Sequence, residues 1–299
     1  MLYDTLIVGP VSLDRNIDHE GNEVRNVGGA VVYSGFTAAR CGHPTAVLTK
    51  SDRATCPVEP VFADSGVDLF WRPSDETCSI RNQYLTPDKE KRICTCLGQC
   101  EPFVLRDISA MTDVQAKIYH FAGLMWGDFE EKLFRQVSER GKVAVDVQCL
   151  LRHVEPDKSM LFRDWNNKMD YLPYIDFLKT DAAEAEILTG FTDRRQAART
   201  LHAWGAKEVL ITHNTEVLAY DGEHFYTCPI RSRNLSGRTG RGDTTFAGYL
   251  NSRLYHDIPT SLLFATALVS LKMEKPGPFT GTRADVEDYI RTFYADMTL

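Results

Sequence analysis

Ser236-Gly237-Arg238-Thr239-Gly240-Arg241-Gly242-Asp243-Thr244-Thr245-Phe246-Ala247-Gly248 is the stretch from which the fold is read. Glycines at 237, 240 and 242 let the backbone turn sharply. Phe246, Tyr249, Leu250 and Leu254 then recur at helical spacing, so a glycine loop runs into a buried helix. Such a junction offers unpaired amides at the positive end of a helix dipole, and phosphate is its natural ligand. Asp243 stands at the helix start. It reads either as an ordinary N-cap or as a functional carboxylate beside a bound anion; the glycines before it, which a cap does not need, favour the second.

Beyond that helix, Pro259 opens a long apolar helix that Lys275-Pro276-Gly277-Pro278-Phe279 breaks. Working back towards the N-terminus, Glu208 to Thr212 and Val217 to Tyr220 read as strands around His213-Asn214-Thr215-Glu216. Tyr174 to Leu178 reads as another strand. Lys179-Thr180-Asp181-Ala182-Ala183-Glu184 follows, with aspartate and glutamate at capping-box spacing. Lys142 to Val147 and Ile118 to Ala122 are short apolar strands on either side of a helix marked by Phe129, Leu133, Phe134 and Val137. At the end of the first of these, Asp146 and Gln148 face a ligand crevice if the sheet is parallel, or else each caps a loop; Arg152 reads as a loop residue.

The N-terminal part begins with a buried strand, Leu2 to Val8, and Asp14 lies beyond its carboxyl edge, where it reads equally as a turn former or as a ligand-binding residue of an open α/β sheet. Ile17 to Val27 is a polar hairpin turning at Glu20-Gly21-Asn22, and Gly28-Gly29 opens a helix through Tyr33 to Arg40. Thr45 to Lys50 and Asp68 to Trp71 are strands. Thr77 to Leu97 alternates as a second hairpin, with Cys78, Ile80 and Asn82 on one face and Pro87 to Lys91 as its turn. Strands alternating with helices, without an internal repeat, imply a largely parallel sheet covered by helices on both faces. Neither GxxxxGK[ST] nor GxGxxG is present, so P-loop and dinucleotide fingerprints do not explain the glycines.

Composition bounds the function. The chain has 299 residues, 43% of them hydrophobic, and a formal charge of −7, enough for one large α/β domain and unsuited to coating nucleic acid or an anionic membrane. No apolar run reaches transmembrane length and the N-terminus lacks a basic start, so a cytosolic location is expected. The eight cysteines are then reduced thiols; Cys94, Cys96 and Cys100 lack zinc spacing.

The run Thr239 to Gly248 resembles the C-terminal signature of the ribokinase-like (PfkB) carbohydrate kinases, and the chain follows that family's order throughout. The resemblance implies a three-layer α/β domain over 1–299, with a β-sheet lid from insertions at about 14–27 and 77–97 that can serve as a homodimer contact. It implies an ATP- and Mg²⁺-dependent transfer to a hydroxyl of a small sugar or polyol, with Asp243 as base and an anion hole at Gly240, Arg241 and Gly242. Arg241 replaces the family's alanine and either adds charge at the phosphate, as a built-in arginine finger, or points away. Asp14, Gly28, Gly29 and Tyr33 fall at the substrate positions, Tyr33 in place of an asparagine, as in an inositol-kinase-like branch. Thr212, Asn214 and Gly277 fall at the nucleotide positions, Asn214 in place of a glycine. Glu184 matches the glutamate that organises magnesium, and Asp181 replaces the asparagine before it. Gly237 stands where some members carry an aspartate linked to a monovalent cation, so potassium activation is in question. These departures also admit a kinase-like sugar-binding protein with little or no transfer.

Overall fold

The computed structural model describes residues 1–86 and 91–297. The strands are β1 (Leu2–Val8), β2 (Ser12–Ile17), β3 (Glu23–Gly28), β4 (Thr45–Ser51), β5 (Asp68–Pro73), β6 (Ser79–Tyr84), β7 (Arg92–Gly98), β8 (Gln115–Phe121), β9 (Lys142–Asp146), β10 (Arg152–Val154), β11 (Met160–Phe162), β12 (Phe177–Asp181), β13 (Glu208–Thr212), β14 (Glu216–Tyr220) and β15 (Phe225–Pro229). The helices are α1 (Ala30–Arg40), α2 (Glu59–Phe62), α3 (Leu105–Ser109), α4 (Lys132–Ser138), α5 (Gln148–Leu151), α6 (Lys168–Tyr171), α7 (Ala182–Thr189), α8 (Arg194–Ala203), α9 (Arg241–Arg253), α10 (Ile258–Lys272) and α11 (Arg283–Phe293).

Nine strands form the main sheet in the order β15-β14-β13-β12-β9-β8-β1-β4-β5. β5 through β13 are parallel, whereas β14 and β15 return antiparallel at one edge. The period of two along each strand sorts side chains to opposite faces. Tyr119, Val143, Val145, Val209 and Ile211 pack with Phe134 of α4, Leu188 of α7 and Leu201 of α8. Ile118, Ala144 and Leu210, their neighbours in sequence, pack on the other side with Phe246 of α9, Leu268 of α10 and Tyr289 of α11. Every residue of α9 from Thr244 to Ser252 is buried. α1 and α10 enclose it, and its buried Thr245 and Asn251 side chains bond inside the protein, donating to the carbonyls of Arg241 and Ala247.

A separate sheet, β3-β2-β6-β7, is joined to the main one by a third core in which Ile7, Val31 and Val47 meet Cys78, Ile80 and Cys96. Both hairpins expected from the sequence are its components. The turn expected at Pro87 to Lys91 lies mostly outside the described residues.

Three expectations change. Asp14 sits within β2 of the small sheet, not in the turn directly after β1. The strand expected at Tyr174 to Leu178 runs instead from Phe177 to Asp181, because Pro173 sets a short 3₁₀ turn at Leu172–Tyr174. Asp243 is not an N-cap, since α9 starts at Arg241 and its cap is Gly240, with φ 75°.

Candidate active site

Parallel strands bring their carboxyl ends to one edge, and there β9, β12 and β13 end in Asp146, Lys179 to Asp181 and Thr212. Register sets Lys179 opposite Asp146, and the ammonium reaches that carboxylate at 2.9 Å, with both side chains buried. Glu184 lies 3.9 Å from the same ammonium. Burial alone would lower the Lys179 pKa, but Asp146, Glu184 and Asp181 hold it above its ordinary value. Burial lifts Glu184 to about 7, with Lys179 opposing the rise.

Asp181 and Glu184 cap α7 reciprocally: the Asp181 amide donates to Glu184 Oε2 at 2.7 Å, and the Glu184 amide to Asp181 Oδ1 at 2.8 Å. Each carboxylate therefore has one oxygen engaged by the helix end. Among the described residues no cluster of three or more His, Cys, Asp or Glu is placed to hold a metal. The pair fits an ion that arrives on phosphate oxygens and keeps its water, as magnesium does, better than an ion caged by protein.

The start of α9 faces this edge. Its first turn has no side-chain cap. Among the described residues the amides of Gly240, Gly242 and Asp243 have no partner, whereas that of Arg241 donates to the Arg238 carbonyl at 3.2 Å. The glycines are dictated by neighbours. A Cβ on Gly240 would lie 2.1 Å from Tyr33 Cδ1, and one on Gly242 3.0 Å from Lys179 Nζ. Arg241 reaches sideways, its guanidinium donating to Asn214 Oδ1 at 2.7 Å in the turn between β13 and β14. Thr212 donates to the Thr180 carbonyl at 3.4 Å. Gly277 turns the loop after α10 with φ 88°, and no hydrogen bond links it to these groups.

Asp243 is half-buried in that first turn. Burial raises its pKa to about 6; Asp146 adds to the rise, while Lys179, Lys272 and Arg152 oppose it. Burial, with Asp243 and Asp14 nearby, pushes the Tyr33 phenol to about 12. Burial likewise lifts Asp14 to about 6 against the pull of Ser12, the Ile80 amide, Arg92 and Arg152. Gly28 lies beside Asp14, a Cβ there falling 3.7 Å from Oδ2, and Gly29 turns into α1 with φ 104°. Alternation along β2 and β6 puts Asn16 and Asn82 on the Asp14 face of the small sheet, 3.2 Å apart through their amides.

Four basic or acidic residues at this site were missed or undervalued by the sequence reading. Lys179 was overlooked although it interrupts an apolar strand, and Lys272 although it ends an apolar helix; both are buried cations. Asp146 was seen facing the crevice without a role. Arg152, read as a loop residue, is 7% exposed and begins β10. Its guanidinium lies over Phe162, 5.4 Å from the ring centroid, and among the described residues no hydrogen bond or ion pair reaches it. Burial and neighbouring Arg92 lower its pKa.

Residues 19–284 match the pfkB family of carbohydrate kinases. A solved pyrophosphate-dependent kinase in the ribokinase family, complexed with a pyrophosphate analog and myo-inositol, is 33% identical; the match covers 95% of this chain and 99% of that one with a TM-score of 0.86. Cytidine kinase of Thermococcus kodakarensis is 27% identical over 259 residues, 83% of this chain and 88% of that protein. Ribokinase of Arabidopsis thaliana, solved with ribose and ATP, is 18% identical over 97% of this chain and 99% of that one, and its TM-score of 0.77 shows the ribokinase-like fold.

Proposed function

Since the chain belongs to the pfkB family of carbohydrate kinases, we propose that it transfers a phosphoryl group from inorganic pyrophosphate to a ring hydroxyl of myo-inositol or a similar cyclitol. The observation that carries this reading is the Asp243 carboxylate in the uncapped first turn of α9, in electrostatic reach of Tyr33 towards the small sheet and of Asp146 and Lys179 towards the main one.

The acceptor lies under the small sheet, held by Asp14, Tyr33 and the backbone at Gly28 and Gly29, with Asn16 and Asn82 beside Asp14. Segments 14–27 and 77–97 close over it and exclude water. Asp243 takes the hydroxyl proton as the oxygen bonds to phosphorus. The bond from that phosphorus to the bridging oxygen breaks, and orthophosphate leaves with the electron pair. Amides of Gly240, Gly242 and Asp243 meet the charge on the transferred group, and Lys179 adds a fixed cation beside Gly242. Asp181 and Glu184 would hold magnesium that arrives on the donor, and the ion would supply neutralisation of phosphate charge.

The resemblance in sequence implied ATP. Pyrophosphate is favoured by the relative that uses it and by the Arg241–Asn214 contact, which spans from the start of α9 to the β13–β14 turn, where Thr212 and Asn214 were expected to meet a nucleotide. A diphosphate can end against that guanidinium. A nucleotide has to pass it, and Gly277 then lines no adenine.

The test is kcat/KM with Mg²⁺ for pyrophosphate and ATP against myo-inositol, ribose and cytidine. Pyrophosphate with myo-inositol should exceed every other pair. ATP with ribose or cytidine in first place overturns the reading, and no turnover with any pair returns the chain to a sugar-binding role.

A further inference from the structure

Lys272, the last residue of α10, carries a buried ammonium that makes no ion pair among the described residues. Its Nζ donates to the carbonyl of Gly237 at 2.6 Å and to the carbonyl of Thr239. It also stands over the face of Tyr33, 5.0 Å from the ring centroid. Carbonyl oxygens of a glycine loop around a single positive charge are the coordination that suits potassium, whose hydration shell such oxygens replace. Gly237 leaves no room for a carboxylate at this spot, because a Cβ there would lie 1.8 Å from the Lys275 carbonyl oxygen and 3.0 Å from that of Lys272. The last turn of a helix, with its outward carbonyls, also favours a cation.

We propose that Lys272 is a tethered monovalent cation: its ammonium holds the Gly237 and Thr239 carbonyls inward and so sets the amides of Gly240, Gly242 and Asp243 outward, making the protein independent of soluble potassium or ammonium. Lys272 is thus a positioning residue, and its role rests on the reading of this loop as the anion site. Burial draws the ammonium down to about 8, with Asp243 opposing, which leaves it charged at neutral pH.

The test compares potassium, ammonium and tetramethylammonium chlorides at equal ionic strength. Wild-type protein should melt at the same temperature and turn over at the same rate in all three. Lys272→Met should lose about 10²-fold in turnover in tetramethylammonium, the worth of a misplaced oxyanion donor, and recover in potassium or ammonium. Its melting temperature should rise in potassium, a readout that needs no activity. Stimulation of the wild type by potassium, or a variant that melts alike in every salt, overturns the proposal. Should Lys272→Met not fold in any salt, Lys272→Gln, which keeps an N–H donor without the charge, decides by the same comparison. A wild type without turnover refutes the functional reading and leaves the melting comparison to judge the tethered cation.

Discussion

The ring of Tyr33 closes directly on Gly240: any Cβ at 240 would fall 2.1 Å from Cδ1 of that ring, so α1 and the start of α9 meet at a glycine and an aromatic face. Gly240 also holds φ at 75°, a left-handed conformation that costs an L side chain roughly 1 to 2 kcal/mol. Gly240→Ala should therefore lower turnover and raise KM for the acceptor together, because the loop and the ring are displaced at once. Steady-state kinetics check this; a change confined to the donor KM speaks against the coupling.

Tyr33 itself should set acceptor choice. A phenol offers one polar atom and a flat apolar face where an amide would offer two polar atoms. Tyr33→Asn should shift preference from myo-inositol towards ribose by roughly ten- to a hundredfold, the worth of one buried polar group gaining or losing its partner. An unchanged ratio of kcat/KM values removes Tyr33 from the specificity argument.

Arg152 makes an opposite pair of demands on stability and function. A buried guanidinium without hydrogen-bond or ion-pair partners among the described residues is a cost to the empty protein, and it sits in the field of Asp14, Asp243, Asp146 and Glu184, the groups that the proposed function sets around the transferred phosphoryl group. Arg152→Met should raise the melting temperature while lowering kcat/KM by about 10² to 10³, as loss of a transition-state donor does. A variant that melts lower and works as well as wild type assigns Arg152 to structure alone.

How much of this was readable in advance depends on the kind of signal. Gly237, Gly240, Gly242 and Asp243 are contiguous, so local spacing was enough to find them, and the capping box at Asp181 and Glu184 was visible for the same reason. Lys179 meets Asp146 across 33 positions of chain, and Lys272 meets Gly237 across 35. Those partners come together only through strand register and helix packing. Arg152 belongs with them: a single arginine after an apolar strand carries no mark of being buried until β11 pairs with β10 and brings Phe162 against it. Strand limits were read well where turns were marked by glycine, as at Leu2–Val8 before Gly9, and shifted by three residues where Pro173 opened a 3₁₀ turn.

The pH profile follows from Asp243. Its raised pKa means the protonated, inactive form persists to about 6, so kcat should climb as pH rises through that value and level off above it. Asp243→Asn should keep the fold, lose about 10² to 10⁴ in turnover and lose that acid limb with it. An acid limb retained in the Asn variant assigns the titration to another group.

Phosphorus NMR of the protein incubated with magnesium pyrophosphate and myo-inositol tests the transfer most directly. An inositol monophosphate and orthophosphate should accumulate in equal amounts as pyrophosphate disappears, and neither should form with Asp243→Asn. Pyrophosphate left intact while ATP is consumed, or orthophosphate released without a phosphorylated cyclitol, would contradict it.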